Sequence, residues 1–540
     1  MLRALPAAAA LIAMTLGAAA LGGCAGGSAG PGGAAGSAAG SAADSARPAA
    51  GGRSGAAGAG QAGTPKLHWR GCPSVAAGEP DARRLRCAQL RVPLDYRDPS
   101  GRSISIALSE IPATAPAGRR QGDLVVNPGG PGAPGLALAA QVAAALQPSV
   151  AADYTIVGFD PRGVGASVPA LSCDPSFFRG PRPDYVPSGP AAEQVLVGRA
   201  KAYAADCERR FGWLLPYMTT RDSARDLDSI RAALGQRQIS YLGYSYGTYL
   251  GQVYATMFPG HLRRMVLDSV VDPDGTWYAD NLMQDYAFQG RMNAFLAWAA
   301  RDESTFHLGS TAAQVQAAYN EAIARVEAHP IRDASGPLIG PDELDDTFLV
   351  GGYSNSYWPD LAQALAGYLN QGSPAGLISL YQDVGAQNEN EFAVYNAVEC
   401  TDAAWPRNWA RWNADTRKVF ATAPFEAWGN AWFNASCAFW PVRASASPER
   451  IGAAGLPPIL MLQGSLDAAT PYRGALAARR LLPTARMVVV EGGGNHGQSL
   501  SSPPNPCVLG YLDRYLGNGK LPAPAGPVSA RCPALPAPAA

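Results

Sequence analysis

Three side chains in this sequence have the types and settings needed for acyl transfer: Ser245 in "GYSYG", Asp467 in "GSLDAATP" and His496 in "GGGNHG". A serine hydroxyl is a poor nucleophile near neutral pH. It needs a base within hydrogen-bond reach to take its proton, and an acid to orient that base. The spelling G-x-S-x-G is weak on its own, because "GGSAG" at residues 26–30 repeats it inside an Ala/Gly/Ser-rich stretch with no strand or helix around it. Context separates the two. "ISYLG" runs into Ser245 as an apolar strand and "YGTYLGQVYATMF" leaves it as a helix, while Gly243 and Gly247 remove the Cβ atoms that would clash in so sharp a turn.

Of the five histidines, His68 precedes the strand-rich region, His261 lies at a helix-to-strand connection, and His307 and His329 fall in a helical stretch. Only His496 follows a buried strand in a glycine-rich loop. Asp467 follows the preceding strand, so the chain order is Ser, Asp, His. Glu491 is nearer to His496 in sequence, but it sits on the same strand and would have to fold back.

Those loops need a scaffold. "DLVVNPGGPG" (123–132), "YTIVGFDPRGVGAS" (154–167), "QISYLGYSYG" (238–247), "RRMVLDSVV" (263–271), "PPILMLQGSLDAATP" (457–471) and "ARMVVVEGGGNHG" (485–497) are short apolar runs, most of them ending in loops with glycine or carboxylate residues. Such runs suit parallel strands buried on both faces, with helices between them. "TTRDSARDLDSIRAALG" is one such helix, with a threonine cap and Gly235 as its stop. "LRCAQLRVPLDYRDP" and "RSISIALSEIPA" alternate as a leading antiparallel pair. After Asp272 the strand signals give way to aromatic-rich helical patterns. The expected fold class is therefore α/β: a mostly parallel, doubly wound sheet with an inserted helical lid. The ligand site then lies beyond the carboxyl ends of the strands. An oxyanion would be held there by the backbone N–H of Tyr246 and by one from "NPGGPG", with Gly130 chosen and Gly129 the alternative. Asp160 and Arg162 are expected to form a structural ion pair.

The chain carries 43 basic and 43 acidic residues among 540 and no dense Lys/Arg run, so nothing favours nucleic acid as a partner. No C-x-x-C occurs and no histidine stands at ligand spacing from a cysteine, so neither a metal nor another cofactor is expected. The first residues, "MLRALPAAAALIAMTLGAAALGGC", read as a signal peptide, and "LGGC" resembles a bacterial lipobox in which Cys24 is lipidated. Residues 25–63 are too poor in apolar side chains to fold and read as a tether. Apart from Cys24 there are eight cysteines, an even number that suits an exported protein. They fall into four local couples: Cys72 with Cys87, Cys173 with Cys207, Cys400 with Cys437, and Cys507 with Cys532. The expected division is 1–24 signal peptide, 25–63 tether, 64–271 first part of the core, 272–396 lid, and 397–540 second part of the core.

Together "NPGGPG", "GFDPRGVGAS", "GYSYGTYLG", "GSLDAATP" and "GGGNHG" make the chain resemble the prolyl and tripeptidyl aminopeptidase family of α/β-hydrolases, particularly its secreted actinobacterial members, whose C-terminal region would here span about 433 to 532. The family usually begins the oxyanion loop with His-Gly-Gly-Pro-Gly. Here Asn127 and Pro128 precede Gly129. The resemblance implies a serine exopeptidase that acts on a peptide substrate with a free N-terminus, and the lipobox-like Cys24 would tie it to the outer face of the membrane through its N-terminal lipid only. Such an enzyme must bind an α-ammonium, for which Glu399 and Asp402 in "AVECTDAAWP" are the candidates. The same three side chains would serve a carboxylesterase or lipase. A binding lipoprotein that keeps the fold without catalysis is the alternative from another class. An epoxide hydrolase or dehalogenase would carry Asp where this chain has Ser245.

Overall fold

The computed structural model describes residues 67–72, 84–444 and 448–540. The expected signal peptide, Cys24 and the tether lie outside them. Ten strands form the main sheet: β1 (Arg70–Gly71), β2 (Arg86–Pro93), β3 (Ser103–Ile111), β4 (Gly122–Asn127), β5 (Tyr154–Asp160), β6 (Ile239–Tyr244), β7 (Leu262–Asp268), β10 (Ile459–Gly464), β11 (Ala485–Glu491) and β12 (Ala530–Pro533). Two further strands, β8 (Ile331–Asp333) and β9 (Gly336–Ile339), form a separate hairpin. The main sheet runs in the order β1-β2-β3-β5-β4-β6-β7-β10-β11-β12. Pairing is antiparallel from β1 to β5 and parallel from β5 to β12.

The continuous apolar runs arise because the parallel strands are covered on both faces. In β6 and β10 every residue is buried, and neighbours along a strand go to opposite sides. Val125, Tyr241, Met461 and Val489 join one core cluster, while Val126, Leu242, Leu462 and Val490 join another. Register aligns Asn127 with Gly243, and both Tyr244 and Leu462 with Asp268, so the loops after four strands open at one edge. The helix Thr220–Ala233 forms as its sequence pattern predicts. The Thr219 hydroxyl accepts the Asp222 N–H at 3.1 Å, and Ala224, Leu227 and Ile230 are fully buried.

Between β7 and β10 the chain is almost wholly helical, with a core of its own that runs from Met292 to Val384. The boundary expected at 396 falls inside the helix Glu389–Asp402, whose Phe392, Val394, Ala397 and Val398 pack into the main core instead. Helices continue to Ala438 before the sheet resumes at Ile459. Periodicity identifies a helix but not the layer it packs against.

The expected Asp160–Arg162 pair does not form. Arg162 makes a bidentate bond to Asp226, Nε at 2.8 Å and Nη2 at 2.7 Å, with both side chains buried. Asp160 instead accepts the backbone N–H groups of Gly135, Leu136 and Ala166. The cause is strand geometry: residues two apart share a face only while the strand continues, and the chain turns at Pro161. Disulfides join Cys72 to Cys87, Cys173 to Cys207, Cys400 to Cys437 and Cys507 to Cys532. Among the described residues no helix is long and apolar enough to cross a membrane.

Candidate active site

Ser245 stands between β6 and the helix Tyr246–Met257 with φ 53° and ψ −127°, a backbone conformation that non-glycine residues seldom adopt. The turn is tight enough that a Cβ on Gly243 would lie 2.3 Å from the Gly247 carbonyl oxygen, and one on Gly247 would lie 2.8 Å from that of Asn127. Within 241–250, Ser245 alone is not buried. The strained turn thus lifts one hydroxyl out of an otherwise closed core.

His496 and Asp467 come together from the loops after β11 and β10. His496 Nδ1 lies 3.0 Å from each Asp467 carboxylate oxygen, and the residues are 4% and 2% exposed. A carboxylate only accepts, so Nδ1 carries the proton and Nε2 keeps a free lone pair for a base's work. Asp467 Oδ1 also accepts the Thr470 N–H at 3.0 Å. Glu491 is exposed and pairs with Arg531, away from the histidine.

The strand end at Asp268 ties the serine segment to the histidine loop. Its carbonyl accepts the Ser245 N–H at 3.1 Å, and its carboxylate accepts the N–H groups of Gln498 and Ser499, each at 2.8 Å. Burial pushes the Asp268 carboxyl up to about 6, opposed by the Ser499 and Gln498 hydrogen bonds and by His496. Ser269 Oγ takes the Gly497 N–H at 2.8 Å.

The loop after β4 crosses directly over the serine turn. A Cβ on Gly129 would sit 2.5 Å from the Tyr244 carbonyl oxygen and 2.9 Å from the Tyr246 nitrogen. The Gly129 N–H donates to Asn127 Oδ1 at 3.1 Å, so it is already engaged. Of the two glycines considered for an oxyanion donor, Gly130 is the one that lines the adjacent cavity, together with Tyr246. Tyr246 also opens a helix of 12 residues, where the macrodipole favours negative charge.

That cavity, of about 150 Å³, lies between sheet and lid, with Tyr353 and Thr470 on its Asp467–His496 side. Six carboxyls line it (Asp272, Asp280, Asp346, Glu391, Glu399 and Glu426) against one guanidinium, Arg473. Burial raises Asp280 to about 8 and holds Glu399 and Glu426 well above the usual carboxylate range. Asp346 is compensated by Arg182 at 2.6 Å. Asn281 Nδ2 donates to Glu399 Oε2 at 3.4 Å.

The two candidates for an ammonium part company here. Glu399 faces the cavity. Asp402 does not line it: its carboxylate takes the Thr220 N–H at 2.7 Å and the Thr220 hydroxyl, which also bonds the Tyr246 hydroxyl at 2.7 Å. On a helix, residues three apart share a face only approximately, and Asp402 is the last residue of Glu389–Asp402, where the chain turns away. Asp268 was legible in principle, as a carboxylate at the end of an apolar strand. The acids from the lid were not, because no sequence spacing links them to Ser245. Among the described residues no group of three or more His, Cys, Asp or Glu side chains could hold a metal ion.

A family profile described as the alpha/beta hydrolase fold matches residues 124–501. The chain is 41% identical over 487 residues to a tripeptidyl aminopeptidase of Streptomyces lividans, with 88% of each chain covered. It is 34% identical over 490 residues to carboxylesterase B of Mycobacterium tuberculosis (strain H37Rv), covering 87% of this chain and 90% of the other. Serine protease Hip1 of the same strain is 31% identical over 479 residues, covering 83% of this chain and 87% of the other.

Proposed function

Because the chain belongs to the α/β-hydrolase fold family, and within it to the prolyl and tripeptidyl aminopeptidase group, we propose that it is an extracytoplasmic serine exopeptidase that removes short peptides, tripeptides foremost, from a free N-terminus. In this reading Ser245 Oγ attacks the scissile carbonyl carbon while His496 Nε2 takes the hydroxyl proton. Asp467 holds the imidazole in its Nδ1–H form and stabilises the cation that develops. The N–H groups of Gly130 and Tyr246 bind the oxyanion. His496 then returns the proton to the leaving amine, which departs and leaves an acyl-enzyme on Ser245. Water attacks the ester, its proton passing to His496, which returns it to Ser245 Oγ as the C–O bond breaks and the acid leaves.

The observation that carries the exopeptidase reading is the acid-rich cavity beside the serine turn, six carboxyls against one guanidinium. An α-ammonium entering it would favour the ionised form of acids that burial otherwise keeps protonated, with Glu399 the foremost partner. The neutral acyl group of a simple ester gains nothing from such a wall. Eight cysteines paired in four disulfides fit an oxidising compartment. A lipid on Cys24 would hold the enzyme at the outer face of the membrane, a part of the proposal that rests on the sequence of residues 1–24.

The test compares free and N-acetylated tripeptide p-nitroanilides with short-chain p-nitrophenyl esters. Free tripeptides are expected to be cut fastest. Equal rates on free and blocked peptides would remove the exopeptidase assignment. Turnover of esters alone would favour a carboxylesterase, as the Mycobacterium tuberculosis relative at 34% identity is named. Absence of fluorophosphonate labelling at Ser245 would leave the non-catalytic binding lipoprotein.

A further inference from the structure

We propose that Arg291 is a positioning residue that fastens the His496 loop to the lid, so that the histidine is correctly set only when the lid is seated. The proposal rests on the serine-hydrolase reading above. Arg291 stands mid-way along the lid helix Tyr278–Arg301 and is 4% exposed. Of the other buried guanidinium groups, Arg162 and Arg182 are each bonded to carboxylates, while Arg264 is held by Tyr154 and the Leu516 carbonyl. Arg291 forms no ion pair among the described residues, and its Nε has no partner. Its guanidinium lies over the Trp358 ring, 5.0 Å from the centroid, and Nη2 donates to Asn355 Oδ1. Its opposite surface presses on Gly494, where a Cβ would come within 2.1 Å of Nη1 and 2.3 Å of Cζ.

Three consecutive loop residues are therefore held by the lid. Gly494 meets Arg291. The Asn495 Oδ1 accepts the Asn355 N–H at 2.9 Å, and the His496 N–H donates to the Tyr353 carbonyl at 2.8 Å. The Tyr353 ring also stands edge-on to the imidazole, centroids 5.6 Å apart at 80°. Asn355 belongs to both contacts, because its side chain is gripped by Arg291 while its backbone grips Asn495. If Arg291 releases Asn355, the second contact loses its support. Burying a cation without a carboxylate partner is unfavourable, and here it coincides with the loop that carries the base.

The ionisable groups packed around the His496 loop are Asp467 from the loop after β10, Asp268 from the end of β7, and Arg291 and Tyr353 from the lid. Burial pulls Arg291 down to about 10, with Asp467 opposing.

The experiment uses the full chain with Arg291→Met, Arg291→Lys and Gly494→Ala, read by fluorophosphonate labelling rate and by p-nitrophenyl acetate kinetics, neither of which needs an ammonium. Arg291→Met is expected to slow labelling and kcat roughly 10- to 100-fold, the scale of a displaced catalytic group, with KM little changed. Arg291→Lys, which restores a donor to Asn355, is expected to recover part of kcat and of the labelling rate. Gly494→Ala keeps Arg291 but wedges it off the loop, and is expected to lower kcat on its own, so the test survives if Arg291→Met fails to fold. A lower melting temperature in Arg291→Met and Gly494→Ala with wild-type kcat and labelling rate would overturn the proposal. Failure of the wild-type enzyme to label would instead overturn the serine-hydrolase reading.

Discussion

The Ser245 backbone N–H rests on the carbonyl of Asp268, and the Asp268 carboxylate in turn holds Gln498 and Ser499, just beyond His496. The two segments that the proposed mechanism brings together for acyl transfer, separated by 251 residues, are thereby hung from the end of one strand. The carboxylate also accepts the Ser499 hydroxyl at 2.6 Å, so three of its donors come from the histidine loop, beside the Ser269 hydroxyl at 3.5 Å.

Asp268→Asn puts an amide NH₂ where two donors need an acceptor, since each carboxylate oxygen accepts two. Each hydrogen bond to a charged group is worth about 1.5–3 kcal/mol, so stability is expected to fall by at least that amount. Because the loop carries His496, fluorophosphonate labelling is expected to slow beyond what the unfolded fraction explains. Labelling in proportion to folded protein would restrict Asp268 to a stabilising role.

Asp467→Asn offers His496 Nδ1 a donor instead of an acceptor and favours the wrong tautomer. The expected loss in kcat is about 10⁴-fold, with the fold intact by circular dichroism. A loss below tenfold would show that another acid orients His496, with Asp268 the first suspect.

Glu399→Gln removes the carboxyl that an ammonium would draw into its ionised form. The preference for free over N-acetylated tripeptides is expected to shrink by about tenfold or more, the scale of one charge-assisted hydrogen bond. Asp402→Asn is expected to act through stability, since Asp402 holds Thr220 and does not line the cavity. If Asp402→Asn alters that preference more than Glu399→Gln does, the assignment of the two acids is reversed.

Stability is expected to fall as pH rises from about 4 to about 8. Burial raises Asp402, Asp285 and Asp345 to about 7, Asp160 and Asp268 to about 6, and Asp280 to about 8. In this window the folded protein keeps protons that the unfolded chain has released. The unfolded state therefore binds fewer protons, and the slope of stability against pH is negative. Thermal melts at intervals from pH 5 to pH 8 measure this, and a melting temperature that rises steadily across the range would contradict it.

Replacing Cys400 and Cys437 together by Ala reopens a loop spanning 37 residues. The chain-entropy scale for that length gives a loss of about 3–4 kcal/mol. Cys400 follows Glu399 directly, so the double variant is also expected to weaken the free-peptide preference. An unchanged melting temperature would mean that packing of the helix Glu389–Asp402 into the core suffices without the bond.

Read alone, the residues were enough for the α/β class, for the strands that end in glycine and carboxylate loops, for Ser245, Asp467 and His496 as candidates in that order, and for four local cysteine couples. These are short-range signals: apolar runs, glycines at a turn too tight for Cβ atoms, and a base and acid each following its own strand. Tertiary structure decided the remainder. Arg162 found Asp226 rather than Asp160, because the chain turns at the strand end and a buried guanidinium takes the carboxylates that packing brings to it. Glu399 faced the cavity and Asp402 the core, because a helix end divides adjacent acids between two surroundings. Asp268, Tyr353 and Arg291 acquired their places around His496 through contacts across hundreds of residues, and no spacing along a chain records which side chains will share a buried volume.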